Sequence, residues 1–136
     1  MIQSDTYSNN SVPTKKMLTK ILCPQGIIMS KSSPVTVMCT YRPVEGKEEQ
    51  LFELVVKHWP VLKEAGLVTD EPAVVYRATD KQTGALFFVE IFSWKDARAS
   101  EIAHRTPEVL AIWEPMEEIL EGGPSPQLAV IERVEL

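Results

Sequence analysis

Residues 35–136 predict an α+β domain in the order β-α-β-β-α-β, an antiparallel sheet with helices on one face. Three observations lead there. Short β-branched or alternating runs stand at 35–42, 72–79, 85–94 and 128–136. Stretches with apolar residues at helical spacing lie between the first and second runs and between the third and fourth. Only a brief Gly-containing segment separates the second run from the third, which makes those two a hairpin.

The first strand is "VTVMCTYR" (35–42), rich in β-branched residues. "PVEGKEEQ" follows, with Gly46 as punctuation and Glu48 and Glu49 placed where a helix N-terminus favours negative charge. Leu51, Leu54, Val55, His58 and Leu62 then share a narrow arc at 100° per residue, so one helix face points inward. Pro60 falls within this helix and is expected to kink it, and Gly66 is placed to close it. "PAVVYRAT" (72–79) is the second strand and "DKQTG" the turn. "ALFFVEIFSW" (85–94) is apolar on both faces, which predicts a central strand.

Ser93 followed by Asp96 reads as a capping box opening the next helix, which runs to about Arg105. Thr106 and Pro107 then form an N-cap and first-turn pair that restarts the helix, with Glu108 in its first turn. Val109, Ile112, Trp113, Met116, Ile119 and Leu120 share one face of that segment, and "GGP" ends it. The charge run "EPMEEILE" reads as its solvated side. "LAVIERVEL" (128–136) alternates and is taken as the last strand. This order is the ferredoxin-like, split βαβ arrangement. With both helices on one face, the other carries apolar side chains uncovered, either Val35, Val37, Cys39 and Tyr41 of the first strand or the alternate set. That predicts a partner sheet, hence a homodimer.

The first 34 residues differ in character. "SDTYSNNSVPTKK" is polar and turn-prone, and Pro24 and Gly26 interrupt the apolar patch after Lys15 and Lys16. No small-residue cleavage site follows, and the arginines of a transit leader are missing, although no acidic residue stands between Asp5 and Glu45. The expectation is a flexible extension over 1–34 and one domain over 35–136.

Composition narrows the function. Of the 136 residues, 44% are hydrophobic and 24% charged, and the net charge of −5 offers no basic footprint for nucleic acid. No apolar run is long enough to span a bilayer. Two cysteines, Cys23 and Cys39, are too few for a disulfide framework, which points to a reducing, cytoplasmic setting with Cys39 as a small core hydrophobe. The two histidines lack HxxxH or HxH spacing, and neither a phosphate loop nor a GxSxG elbow occurs, so no metal or nucleophilic chemistry is expected.

Candidate site residues remain. His58 lies inside the apolar stripe and points toward the sheet, either as a hydrogen-bonded core histidine or as a base in a cleft under the helices. Glu90 shares a strand face with Phe88, Phe92 and Trp94, so its carboxylate needs a partner. Arg77 on the neighbouring strand is one candidate. The alternative is a carboxyl that holds a substrate hydroxyl. His104 reads either as a helix-end cation or as a residue at the cleft mouth. Trp59, Trp94 and Trp113, with Tyr41 and Tyr76, are candidates to line an apolar pocket for a flat ring.

The stretch from "VTVMCTYRPVEGKEEQ" through "VEIFSWKDARASEIAH" to "TPEV" resembles the antibiotic biosynthesis monooxygenase-like proteins of the dimeric α+β barrel superfamily, over residues 35 to about 120. The resemblance implies a homodimer whose sheets close into a barrel. It also implies cofactor-free oxidation of an aromatic or polyketide-like phenol. A base would deprotonate the phenol, and the electron-rich anion would then react with dioxygen. His58 or His104 would be that base, Glu90 or Arg77 would orient, and Trp59 and Trp94 would stack. Haem-degrading relatives use a histidine roughly where Trp113 stands here, so this chain departs from the haem pattern. Since one fold hosts many functions, two other readings stand beside this one. One is a non-catalytic ligand-binding or stress-associated dimer. The other is an isomerase or decarboxylase acting on an acidic small molecule, with Arg77 and Arg42 in the cleft.

Overall fold

The computed structural model describes residues 33–123 and 125–136. Nearly all of the expected extension over 1–34 lies outside the described residues, as does Cys23. The elements are β1 (Val35–Tyr41), α1 (Glu48–Glu64), β2 (Val74–Thr79), β3 (Leu86–Trp94), α2 (Ala99–Ala103), α3 (Pro107–Glu117) and β4 (Gln127–Val130). The sheet has the order β2-β3-β1-β4 and all its pairings are antiparallel, with the helices on one face. This is the ferredoxin-like α+β arrangement, with β3 and β1 in the middle.

Register decides which side chains meet. Val35, Val37, Cys39 and Tyr41 pair with Trp94, Phe92, Glu90 and Phe88. Residues opposite one another in an antiparallel ladder share a face, so these eight form the floor under the helices. The uncovered side is therefore the alternate set: Thr36, Met38 and Thr40 of β1, with Val89 and Ile91 of β3 and Val74 and Tyr76 of β2. Val74 and Tyr76 are about half exposed there.

Leu51, Val55, His58 and Leu62 are the buried face of α1, as the stripe predicts. The helix is continuous through Pro60 and ends in a Schellman turn. Leu67 N–H donates to Leu62 O and Gly66 N–H to Lys63 O, both at 3.0 Å, while Gly66 takes φ 75°. The β2–β3 turn is closed by the Asp80 carboxylate, which accepts from Gln82 N–H and Thr83 N–H at 2.8 and 2.9 Å. Each large apolar side chain buried in such a core stabilises the fold by about 1.5–3 kcal/mol.

Four expectations about element ends are corrected. Asp96 caps no helix: its carboxylate accepts from Arg98 N–H, and Ser93 instead meets the Thr36 hydroxyl at 2.8 Å. The helix begins only at Ala99 and stops at Ala103, two residues before Arg105, with His104 as its C-cap. At the other end, α3 stops at Glu117, ahead of "GGP", and the strand expected over 128–136 pairs only over Gln127–Val130. Thr106 and Pro107 do restart the helix as the N-cap and first residue of α3. The Thr106 hydroxyl donates backward to Ile102 O at 2.9 Å, which ties the two helices at the break.

Candidate functional site

Between the helix-covered sheet face and α2 and α3 lies a cleft of about 180 Å³. Cys39, Tyr41 and His58 form its base, Phe92, Trp94 and Trp113 its walls, and His104 and Glu117 stand on its rim. The period-two alternation of β1 and β3 delivers the base and two walls. The helical restart at Pro107 delivers Trp113 from above.

Behind the base runs a buried hydrogen-bond chain. Glu90, which has no exposure, accepts at Oε1 from the Tyr41 hydroxyl at 2.7 Å and from His58 Nδ1 at 2.8 Å. Trp113 Nε1 donates to His58 Nε2 at 2.9 Å. An indole N–H can only donate, so His58 Nε2 is the bare acceptor and Nδ1 carries the proton. The imidazole is thereby held neutral, in one tautomer and one orientation, 3% exposed. Glu90 Oε2 has no partner among the described residues. Burial, then the nearby Glu90 charge, pushes the Tyr41 hydroxyl well above the ordinary tyrosine range. Burial and the same charge push the Cys39 thiol up to about 12, so it stays a thiol.

His104 is the opposite case. It is exposed, and its Nδ1–H donates to Ser100 O at 2.9 Å, four residues back on α2. A carbonyl only accepts, so Nε2 of the neutral ring is a bare acceptor with no partner among the described residues. The ring packs edge-on against Trp113 at 4.8 Å. Trp113 thus touches both histidines, one through its N–H and the other through its ring.

The structure brings together His58, Glu90, Tyr41, Trp94, Trp113 and His104. It places the remaining candidates elsewhere. Trp59 is half-buried against the core and does not border the cleft, and Tyr76 is on the uncovered sheet face. Arg77 does not pair with Glu90. It stands opposite Phe88, two pairs further along the ladder, and its guanidinium lies over the Phe52 and Phe88 rings at 5.1 and 5.8 Å. Arg42 lies over Phe87 at 4.4 Å. Cys39 and Ser100 are cleft residues that the sequence reading missed. Alternation with Tyr41 was a signal for Cys39, whereas Ser100 acts through its backbone and leaves none. Among the described residues no three His, Cys, Asp or Glu side chains come together to hold a metal. No helix among them is long and apolar enough to cross a membrane.

No family model matches the chain, nor does any curated protein. Solved structures do. PA3566 from Pseudomonas aeruginosa is similar over 78% of this chain and 99% of its own, at 19% identity and a TM-score of 0.57. SnoaB from Streptomyces nogalater, a cofactor-independent oxygenase, is similar over 76% of this chain and 96% of its own, at 10% identity and a TM-score of 0.55. An antibiotic biosynthesis monooxygenase is similar over 74% of this chain and 99% of its own, at 13% identity and a TM-score of 0.56. The chain has the fold of the antibiotic biosynthesis monooxygenase proteins.

Proposed function

We propose that this chain is a cofactor-free monooxygenase that oxidises an electron-rich phenolic ring with dioxygen, using His104 as the proton acceptor. The observation that carries the reading is the geometry of His104. Its tautomer is set by the Ser100 carbonyl, which leaves a basic nitrogen on the rim of an aromatic-walled cleft. The fold shared with SnoaB supports the same reading.

The chemistry balances without a cofactor. His104 Nε2 takes the phenolic proton, and the phenolate supplies electrons to dioxygen. For a ring with two hydroxyls and a free C–H position, one oxygen atom enters at that carbon and the other leaves as water. The ring gives up four electrons and becomes a hydroxyquinone, and the proton held by His104 leaves with the water. Trp94 and Trp113 are flat walls for the ring, and the Glu90–His58 chain holds Trp113 in place. Fixed orientation and a positioned base are the protein's contribution.

His58 is a positioning residue in this scheme, because both its nitrogens are already engaged. That same engagement favours the second reading, a dimeric small-ligand binder without chemistry. An isomerase or decarboxylase for acidic substrates has less support, since Arg42 and Arg77 are stacked on phenylalanines and do not border the cleft. The uncovered sheet face, with Val74, Tyr76, Val89 and Ile91, supports a homodimer through that face. The buried free thiol of Cys39 suits a reducing compartment such as the cytoplasm.

The test is oxygen uptake by the full chain with a panel of hydroquinones and anthrones. Uptake that persists with a chelator present is the expected result. No uptake with any member would leave the ligand-binding reading in its place.

A further inference from the structure

The cleft's size and charge name a narrower class of ligand than its walls alone. We propose that it selects a single aromatic ring, uncharged or bearing a cationic side group, and rejects rings bearing a carboxylate or sulfonate. The inference rests on the reading of this cleft as the substrate site.

Size comes first. At about 180 Å³ the cleft is little larger than the ~150 Å³ apolar cavity that accepts benzene, and below the ~300–1,000 Å³ usual for larger ligands. One ring with a short substituent matches that volume better than a three-ring anthrone.

Charge comes second. Glu90 is fully buried immediately behind the base, where its partners are the Tyr41 hydroxyl and His58 Nδ1–H. Tyr41 donates a hydrogen bond but no charge. His58 donates from Nδ1 while its Nε2 accepts from Trp113 Nε1–H, so it too brings Glu90 a hydrogen bond and no charge. Glu117 adds a second carboxylate at the rim. Among the described lining residues there is no Lys or Arg. An anion entering this space loses its water and meets the Glu117 carboxylate, with Glu90 buried behind the base and only the His104 imidazole on the rim to offset them. A cationic group meets the Glu117 carboxylate and the rings of Trp94 and Trp113, a setting that attracts ammonium groups.

Three probes of nearly equal shape separate these effects: tyramine (cationic), 4-propylphenol (neutral) and 4-hydroxyphenylacetate (anionic), with anthrone as the large ring. Binding to the full-length chain is measured by calorimetry and by quenching of tryptophan fluorescence. Tyramine and 4-propylphenol are expected to bind, 4-hydroxyphenylacetate at least about tenfold more weakly, and anthrone not at all. Glu117→Gln should narrow the gap between tyramine and 4-hydroxyphenylacetate. The proposal is overturned if the carboxylate probe binds as tightly as tyramine, if anthrone outcompetes the single rings, or if none of the single rings binds at millimolar concentration. These outcomes are separable from the oxygenase reading, which is decided by oxygen uptake. Binding in the expected order without uptake rejects the oxidation and keeps the selectivity. Uptake with the order reversed does the opposite.

Discussion

Replacing His58 by alanine tests the buried chain most severely. The side chain is 3% exposed, donates to Glu90 at 2.8 Å and accepts from Trp113 at 2.9 Å. Its removal leaves the Glu90 carboxylate with Tyr41 as its one remaining donor and turns the Trp113 N–H toward an empty space. Taking the partner from two buried polar groups at once costs about 1–3 kcal/mol for each, roughly 3–5 kcal/mol together, because both stay desolvated. Against a typical domain stability of about 5–15 kcal/mol, that is a large share. Equilibrium urea unfolding followed by circular dichroism should show it as a fall in midpoint of roughly 2–3 M, for a slope near 1.5 kcal/mol/M. His104→Ala is the control. It removes an exposed ring with one backbone hydrogen bond, and should cost less than about 1 kcal/mol. The double variant His58→Leu with Glu90→Leu should cost less than the sum of the two single changes, because it leaves no charge unpaired. A His58→Ala protein within about 1 kcal/mol of the native chain would refute the chain of contacts described above.

Alkali should destabilise the domain. The Cys39 thiol titrates near its ordinary 9.0 when unfolded and at about 12 when folded, mainly through burial, so the folded state holds the proton longer. Its contribution is complete below pH 9 and declines by up to about 4 kcal/mol as pH rises toward 12, a slope that Cys39→Val should reduce. Acid should act on the β2–β3 turn in the opposite sense. The Asp80 carboxylate is held below its ordinary 3.8 by the Thr83 and Gln82 N–H groups, so its stabilisation is present above that value and lost as pH falls through the folded pKa. Asp80→Ala should lower the melting temperature at pH 7 and flatten its acid dependence. Pro60→Ala should raise stability by about 1–3 kcal/mol in the same urea assay, since Pro60 cannot donate to the Val56 carbonyl within α1. Sedimentation equilibrium should give twice the 15.3 kDa chain mass, and Val89→Lys on the uncovered sheet face should return it to a monomer.

The sequence carried the fold further than the site, for physical reasons that particular residues show. Alternation in β1 and β3 and the Leu51–Leu62 stripe report burial directly, so strands, helix face and the inward His58 were all legible. The restart at Pro107 was legible too, because a residue without an N–H has few places in a helix. Caps were not. Ser93 and Asp96 have the right spacing for a capping box, but spacing does not show where an oxygen points, and both point elsewhere. Ile131 N–H still donates to Thr36 O at 2.9 Å, but residues 132–136 alternate without joining the ladder, so β4 is shorter than its pattern. Glu90 plainly needed a partner, yet choosing between Arg77 and His58 requires the β2–β3 register and the position of α1 over the sheet. Neither is written in local sequence. The Trp113–His58 bond, which spans 55 positions, is a product of tertiary packing alone.

The central claim is that His104 accepts the proton in an oxygen-consuming reaction. The most direct measurement is steady-state oxygen uptake by the native chain and by His104→Ala on one hydroquinone, with folding checked by the same urea curves. His104→Ala should lose about 10² or more in kcat with stability nearly unchanged, the size expected for a missing general base. Native turnover in His104→Ala would contradict it.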